Sequence, residues 1–288
     1  MALREGMGTT SAKPVEGSRL LLDGGGALPG AAVDIFKQWA LENHSSSRTC
    51  RICSILIVPW ASEREGAEHA ADAAEWVREE DNIKIVVAPT AQQVKESADA
   101  CAQVLLLIDA ANAVFFTGGD QVRFMEVLDA RPEIQSALTN QFREGVGFAG
   151  TSAGTAVMSS VMITGEGANS TDADSAPWGF VDIEGCGHVA TRRGIGLAPA
   201  GVVIDQHFIR RARFNRLLSV LLCEESAQVG LGVEEDTAVV IEGGRSIRVF
   251  SSKPNLSAML IKKREDFQES NSFTIQLMPA GTGAVWQL

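Results

Sequence analysis

Ile52 to Pro59 is an apolar run. It is too short for a helix, and it lacks the alternation of a half-exposed strand, so it reads as a strand buried on both faces. Shorter strand-like runs recur at Arg19–Asp23, Ile83–Val87, Ala113–Phe116 and Val146–Ala149. Between them lie segments of helical period: Ala31–Asn43, Glu63–Glu80, most of Ala91–Asp109, Gln121–Leu128 and Pro132–Arg143. Short apolar strands alternating with helices require a mostly parallel sheet covered on both faces. Such a sheet puts its site in the loops beyond the carboxyl ends of its strands.

The rest of the chain extends this α/β pattern. An apolar helix is expected over Ala153–Ile163, a strand over Val202–Ile204 and a helix over Ile209–Glu224. Four further strands, Ala238–Ile241, Ile247–Phe250, Ala258–Ile261 and Phe273–Leu277, predict an antiparallel C-terminal edge on the same domain. Residues 19–288 therefore read as one α/β domain behind a disordered lead-in over 1–18. Gly165–Arg193 is a long Gly/Ser/Asp-rich connection of the kind that is functional or mobile.

Composition narrows the class. The 288 residues carry 25 basic and 36 acidic side chains, a net charge of −11. That surface disfavours nucleic acid as a partner, because a phosphate backbone needs concentrated positive charge. No apolar run approaches the roughly 20 residues that span a bilayer, and Met1–Arg19 lacks the apolar centre of a signal peptide. Cys50, Cys53, Cys101, Cys186 and Cys223 are an odd number and too sparse for a disulfide scaffold, which fits a reducing cytoplasm. Cys50 and Cys53 form a lone C-x-x-C without further ligands at zinc spacing, so no metal is expected. Gly24-Gly25-Gly26 is a turn after the first strand, without the G-x-G-x-x-G spacing of a dinucleotide site, so no cofactor is expected either.

Gly150-Thr-Ser-Ala-Gly154 follows one strand and precedes an apolar helix. This is G-x-S-x-G in strand–turn–helix context, where small neighbours permit a tight turn that presents the Ser152 hydroxyl. The Ala153 N–H then points at a developing oxyanion. Gly118-Gly119 ends another strand and supplies Gly119 as the second oxyanion donor. A serine needs a base. Of four histidines, His44 and His69 read as surface residues and His188 lies in the long connection. His207 follows the Val202–Ile204 strand at a carboxyl end. A carboxylate should orient that imidazole, and Glu234, Glu235 and Asp236 are all placed to do so.

Arg210, Arg211, Arg213 and Arg216 put four positive charges just after this histidine. In a helix Arg210, Arg213 and Arg216 share a face, suited to capturing a substrate carboxylate with guanidinium forks.

Several stretches together resemble the cyanophycinases. They are Phe115-Phe-Thr-Gly-Gly-Asp-Gln121, Gly150-Thr-Ser-Ala-Gly154 with Ala156-Val-Met158, Asp205-Gln-His-Phe208 with Arg211, Arg213 and Arg216, and Gly232-Val-Glu-Glu-Asp-Thr-Ala238. The resemblance runs from about Leu20 to Ile241. It implies a flavodoxin-like, class I glutamine-amidotransferase-like fold and a serine exopeptidase that cuts cyanophycin, an arginine-bearing polyaspartate, into β-Asp-Arg dipeptides. It implies Ser152 as nucleophile, His207 as base and Glu235 as orienting acid, with Gln121, Asp205, Gln206, Arg211, Arg213 and Arg216 in the substrate pocket. Two departures stand out: Ala27 where related sequences often carry glutamate, and a long connection near Gly167–Gly187. An isoaspartyl or aspartyl dipeptidase on short peptides, and a non-catalytic binding protein of the same fold, are the alternative readings. A homodimer is expected.

Overall fold

The structure is a computed structural model that describes residues 17–46, 52–64, 68, 72–73, 75–77, 81–165, 189–266 and 272–288. The expected lead-in over 1–16, most of the expected 63–80 helix and the 166–188 part of the long connection lie outside the described residues.

The short apolar runs form a parallel sheet. Strands β1 (Arg19–Asp23), β2 (Cys53–Val58), β3 (Ile83–Val87), β4 (Ala113–Phe116) and β5 (Gly147–Thr151) lie in the order β1-β5-β4-β2-β3. Alternate side chains of these strands enter two separate cores. Leu21, Ile55, Ile57, Ala113 and Phe115 face one side. There they pack on Phe36, Trp39 and Ala40 of helix α1 (Gly30–Ser46). Leu20, Leu22, Leu56, Val58, Val114 and Phe116 face the other. That side is covered by α3 (Ala98–Ala110), α4 (Gln121–Ala130) and α5 (Pro132–Arg143). Burial on both faces is why these runs lack polar alternation. Each such side chain contributes about 1.5–3 kcal/mol.

The segment expected as mostly helix over 91–109 is two helices, α2 (Ala91–Glu96) and α3. Ser97 between them is extended, and its hydroxyl accepts the Ala100 N–H at 3.2 Å as an N-cap. A serine side chain that satisfies a helix start competes with continued helix. Helix α1 continues through His44 to Ser46, so His44 is half-buried on a helix and not in a surface loop.

The C-terminal strands divide between two sheets. β10 (Thr237–Glu242), β11 (Ser246–Ser251) and β14 (Trp286–Gln287) extend the main sheet antiparallel from β1. A second sheet has the order β13-β12-β9-β8, with β8 (Val202–Gln206), β9 (Val229–Val233), β12 (Ser257–Lys263) and β13 (Phe273–Pro279). Only β8 and β9 are parallel in it. The antiparallel strands are thus not one edge, and the strand before His207 belongs to the second sheet. One face of that sheet, with Ile204, Leu231 and Leu260, joins the core under α3–α5. Its other face, with Val203 and Ile261, is covered by Leu217, Val220 and Leu221 of helix α7 (Phe214–Cys223).

Two expected helices are corrected. Over Ala153–Ile163 only one turn forms, α6 (Ala153–Ala156), and the chain continues into strand β6 (Val161–Ile163) beside β7 (Thr191–Arg193). The carbonyls that would extend the helix are taken from outside it. Val157 O accepts Ile195 N at 2.7 Å, and Met158 O accepts Ala198 N at 2.8 Å. Over Ile209–Glu224 the helix starts only at Phe214. His207 and Ala212 have φ of 49° and 50°, which a right-handed helix does not contain. Arg210, Arg211 and Arg213 therefore do not share a helical face with Arg216.

Cys53 and Cys101 are buried. No helix of the described residues is long and apolar enough to cross a membrane.

Asp205 on β8 and Arg216 on α7 tie the second sheet to its helix. Arg216 Nε donates to Asp205 Oδ2 at 2.6 Å, and Arg216 Nη2 donates to Asp205 Oδ1. The two residues are 5% and 1% exposed. Removing one partner of such a pair strands the other charge in the interior. Arg216→Ala is expected to cost about 3–5 kcal/mol of folding stability, read as a lower midpoint in urea with an unchanged slope. A loss under about 1 kcal/mol would mean the pair is solvated.

Candidate active site

Three chain segments meet at the carboxyl end of β1. Ser152 follows β5 with φ 52° and ψ −114°. This non-glycine residue at positive φ is a strained turn tip. The turn depends on close backbone approach, since a Cβ on Gly154 would lie 2.2 Å from the Phe116 carbonyl oxygen. His207 follows β8, also at positive φ. Glu235 lies in the turn between β9 and β10.

The side chains form one hydrogen-bonded series. Ser152 Oγ lies 2.8 Å from His207 Nε2, and His207 Nδ1 lies 2.7 Å from Glu235 Oε1. An ionised carboxylate only accepts, so Nδ1 carries the proton and Nε2 is left to accept from the serine hydroxyl. Burial holds the imidazole pKa below its ordinary value of 6.5. Glu235 opposes that shift, while Arg211 and Arg213 reinforce it. The ring is therefore neutral, and competent as a base, at pH 7.

The three adjacent acids have separate tasks. Glu235 meets the imidazole and also Arg210, whose Nε is 3.1 Å from Glu235 Oε2. Glu234 accepts the N–H groups of Ile209 and Arg210, and so caps the turn after His207. Asp236 accepts Ala27 N at 2.8 Å and pairs with Lys253 at 2.5 Å. Of the three acids left open by the sequence, Glu235 is the one beside the ring.

The glycine turn after β1 holds all three segments. Ser152 N donates to Asp23 O at 3.0 Å, His207 N to Gly24 O at 3.0 Å, and Asp236 N to Gly25 O at 2.7 Å. A Cβ on Gly25 would stand 2.2 Å from His207 Cε1, and its φ is +99°. Three consecutive glycines at a strand end were the available signal. Read for dinucleotide spacing alone, they give no sign of this task.

The N–H groups of Gly118, Gly119 and Ala153 have no hydrogen-bond partner among the described residues. A Cβ on Gly118 would lie 3.5 Å from Ser152 Cβ, so this turn flanks the serine. Gly119, at φ 136°, faces the Ala61 carbonyl on its other side.

The expected pocket residues are mostly occupied by one another. Gln121 is buried, and its amide donates to Ile163 O at 3.0 Å and Thr164 O at 2.8 Å. Gln206 Oε1 accepts from Arg213 Nη1 at 2.6 Å, and both side chains are buried. Asp205 and Arg216 hold each other as described above. Arg211 is exposed beside His207, and so is Arg210, which the resemblance passed over.

A cleft of about 540 Å³ reaches Thr151, the residue before Ser152. Asp23, Gly26, Thr117, Gly118, Gly119, Thr151 and Trp76 are among its lining residues. Asp23 is fully buried, and its carboxyl is pushed up to about 7, mainly by burial and against the hydrogen bonds from Thr151 and Gly25. Its side chain was not anticipated.

Residues 39–249, more than two-thirds of the chain, match peptidase family S51. The chain belongs to that family. It is 40% identical over 141 residues to the cyanophycinase of Trichormus variabilis, covering 49% of this chain and 42% of that protein. It is 35% identical over 158 residues to the cyanophycinase of Synechococcus elongatus, covering 54% and 44%. The chain thus spans less than half the length of the curated relatives it matches. Its fold is also that of a peptidase from an acI-B1 Actinobacterium, with a TM-score of 0.64 at 17% identity over 96% of this chain and 99% of that one.

The Asp23 carboxyl generates a stability prediction. Its folded pKa, about 7, lies above the ordinary 3.8. The folded state therefore holds the proton more tightly. Stability relative to a neutral isostere is greatest below about pH 4, falls as pH rises towards 7, and is constant above that. Asp23→Asn should melt above the unaltered protein at pH 8, with a smaller advantage at pH 5. Scanning calorimetry that gave equal offsets at both pH values would place the carboxyl in water.

Proposed function

We propose that this chain is a serine exopeptidase that releases β-Asp-Arg dipeptides from cyanophycin through an acyl-enzyme. The observation that carries this reading is the Ser152–His207–Glu235 series, with 2.8 and 2.7 Å between its members. Ser152 Oγ attacks the scissile carbonyl carbon as its proton passes to His207 Nε2. Glu235 stabilises the imidazolium that forms. The oxyanion is received by the N–H groups of Gly119 and Ala153, with Gly118 adjacent. The imidazolium then protonates the leaving amine. Water, deprotonated by the same ring, hydrolyses the acyl-enzyme and restores the serine. Arg211 is the exposed guanidinium placed to receive a substrate carboxylate.

Cyanophycin as substrate is supported by the sequence resemblance and by the names of the matched relatives. One observation favours the second reading, a dipeptidase on short β-aspartyl peptides. Gln121, Arg213 and Arg216, expected around a polymer side chain, spend their hydrogen bonds inside the protein. Incubation with insoluble cyanophycin and with free β-aspartyl dipeptides, followed by mass analysis of soluble products, separates the two. A homodimer is part of the proposal. Exposed Ile275 and Leu277 on the edge strand β13 support it, and sedimentation tests it.

Ser152→Ala should abolish turnover of either substrate while leaving the melting temperature close to that of the parent, since residue 152 is a turn tip. A serine-directed phosphonate should add mass at Ser152 alone. Retained turnover in Ser152→Ala would remove the serine mechanism.

The pH profile follows from His207. Its depressed pKa puts the acid limb of kcat/KM below 6.5. Activity should be flat from about pH 7 to 8 and should decline only below about pH 6. A limb centred above 7 would show that a different group, or an ionised partner at the ring, sets the base.

A further inference from the structure

The backbone of Asp23 belongs to the turn that gathers the site. Its side chain makes a second set of contacts, and no step of the proposed reaction uses them. Asp23 is fully buried at the end of β1. Its Oδ2 accepts the hydroxyl of Thr151 at 2.5 Å and the N–H of Gly25 at 3.1 Å. One carboxyl oxygen therefore joins the residue before the nucleophile to the middle of the glycine turn.

Both ends of this bridge bear on the geometry of serine and histidine. Thr151 ends β5 and is covalently next to Ser152, whose φ of 52° has to be held against relaxation. Gly25 lies against the imidazole, since a Cβ there would stand 2.2 Å from His207 Cε1. The carbonyl of Gly25 receives Asp236 N at 2.7 Å, next to Glu235. The main chain of Asp23 makes a parallel connection. Its carbonyl accepts Ser152 N at 3.0 Å and the buried hydroxyl of Thr155 at 2.8 Å. Thr151, Ser152 and Thr155 of the elbow are thus all fastened to one aspartate.

A strand end that only had to be filled would take an apolar side chain. Such a residue would avoid the desolvation that pushes the Asp23 carboxyl up to about 7. An apolar residue cannot accept hydrogen bonds from two different segments, and Asp23 does so with one oxygen.

We propose that the Asp23 side chain is a positioning residue for Ser152: by bonding Thr151 and Gly25 together, it sets the approach of the serine hydroxyl to His207 Nε2. The proposal rests on the reading of Ser152 as nucleophile and is independent of which substrate the serine attacks. Misplacing a reacting group by about 1 Å can cost about a hundredfold in rate. Loss of the bridge therefore falls on the reactivity of the serine and not on binding.

A small alkyl fluorophosphonate reports the reactivity of Ser152 without a substrate. Its maximal rate of phosphonylation and its half-saturating concentration are measured for each variant, together with the melting temperature. Thr151→Val keeps the shape of threonine and removes the donor, while Asp23→Ala removes the acceptor. Each should lower the maximal rate about tenfold or more, with half-saturation within about twofold of the parent. Thr151→Ser and Asp23→Asn keep a hydroxyl and an acceptor oxygen, and should recover the rate to within about threefold of the parent. In Asp23→Ala/Thr151→Val the loss should match that of Asp23→Ala to within about threefold, because both changes break the same bond. An unchanged maximal rate in Thr151→Val, losses that multiply in the double variant, or an effect on half-saturation alone would overturn the proposal. Should Asp23→Ala not fold, Thr151→Val against Thr151→Ser decides the question. A parent protein that takes no phosphonate at Ser152 would discard the nucleophile and this proposal with it. A reactive parent with equally reactive variants would discard the positioning role alone.

Discussion

The turn from Asp23 to Gly25 accepts one backbone hydrogen bond from each segment that carries a member of the Ser152–His207–Glu235 series. Ser152 comes from the main sheet, His207 from the second sheet, and Glu235 from the strand pair that joins them. Their relative positions are therefore set by three consecutive carbonyls at the end of β1. Side chains at this turn would collide with the imidazole and with the backbone of Glu234, which is why the chain is glycine there. The strain of two positive-φ residues is sustained because the surrounding hydrogen bonds leave the backbone no relaxed alternative.

Charge is divided between structure and chemistry in the same small region. Asp205 and Arg216 are buried against each other and hold α7 on its sheet. Glu234 caps a turn, Asp236 pins the β1 turn, and Glu235 alone meets the imidazole. Arg211 and Arg213 act on that ring through their field, which adds to burial in keeping it neutral. A cluster that looks like one basic patch beside one acidic patch is thus a set of separate pairings, each with its own burial.

The two sides of the serine differ in sign. The His207 side holds exposed guanidiniums, and the β1–β4 side holds Asp23 with an acidic, aromatic-walled cleft.

The parallel strands, helices α1 and α3–α5 and the strand–turn–helix at Ser152 were legible because they follow from local rules. Those rules are apolar runs, a 3.6-residue period and glycine spacing. The sequence alone could not show where backbone groups find partners far along the chain. The 153–163 helix ended after one turn because residues 195 and 198 claimed its carbonyls. The helix after His207 began late because the carboxylate of Glu234 capped a turn before it. Arg213 and Arg216, read as part of a substrate face, were committed to Gln206 and Asp205 by burial, a property of tertiary packing that spacing does not contain. Asp23 shows the same limit. As a sequence it is a polar residue ending a strand, and only its place between β5 and β10 in the folded sheet removes its water and raises its pKa.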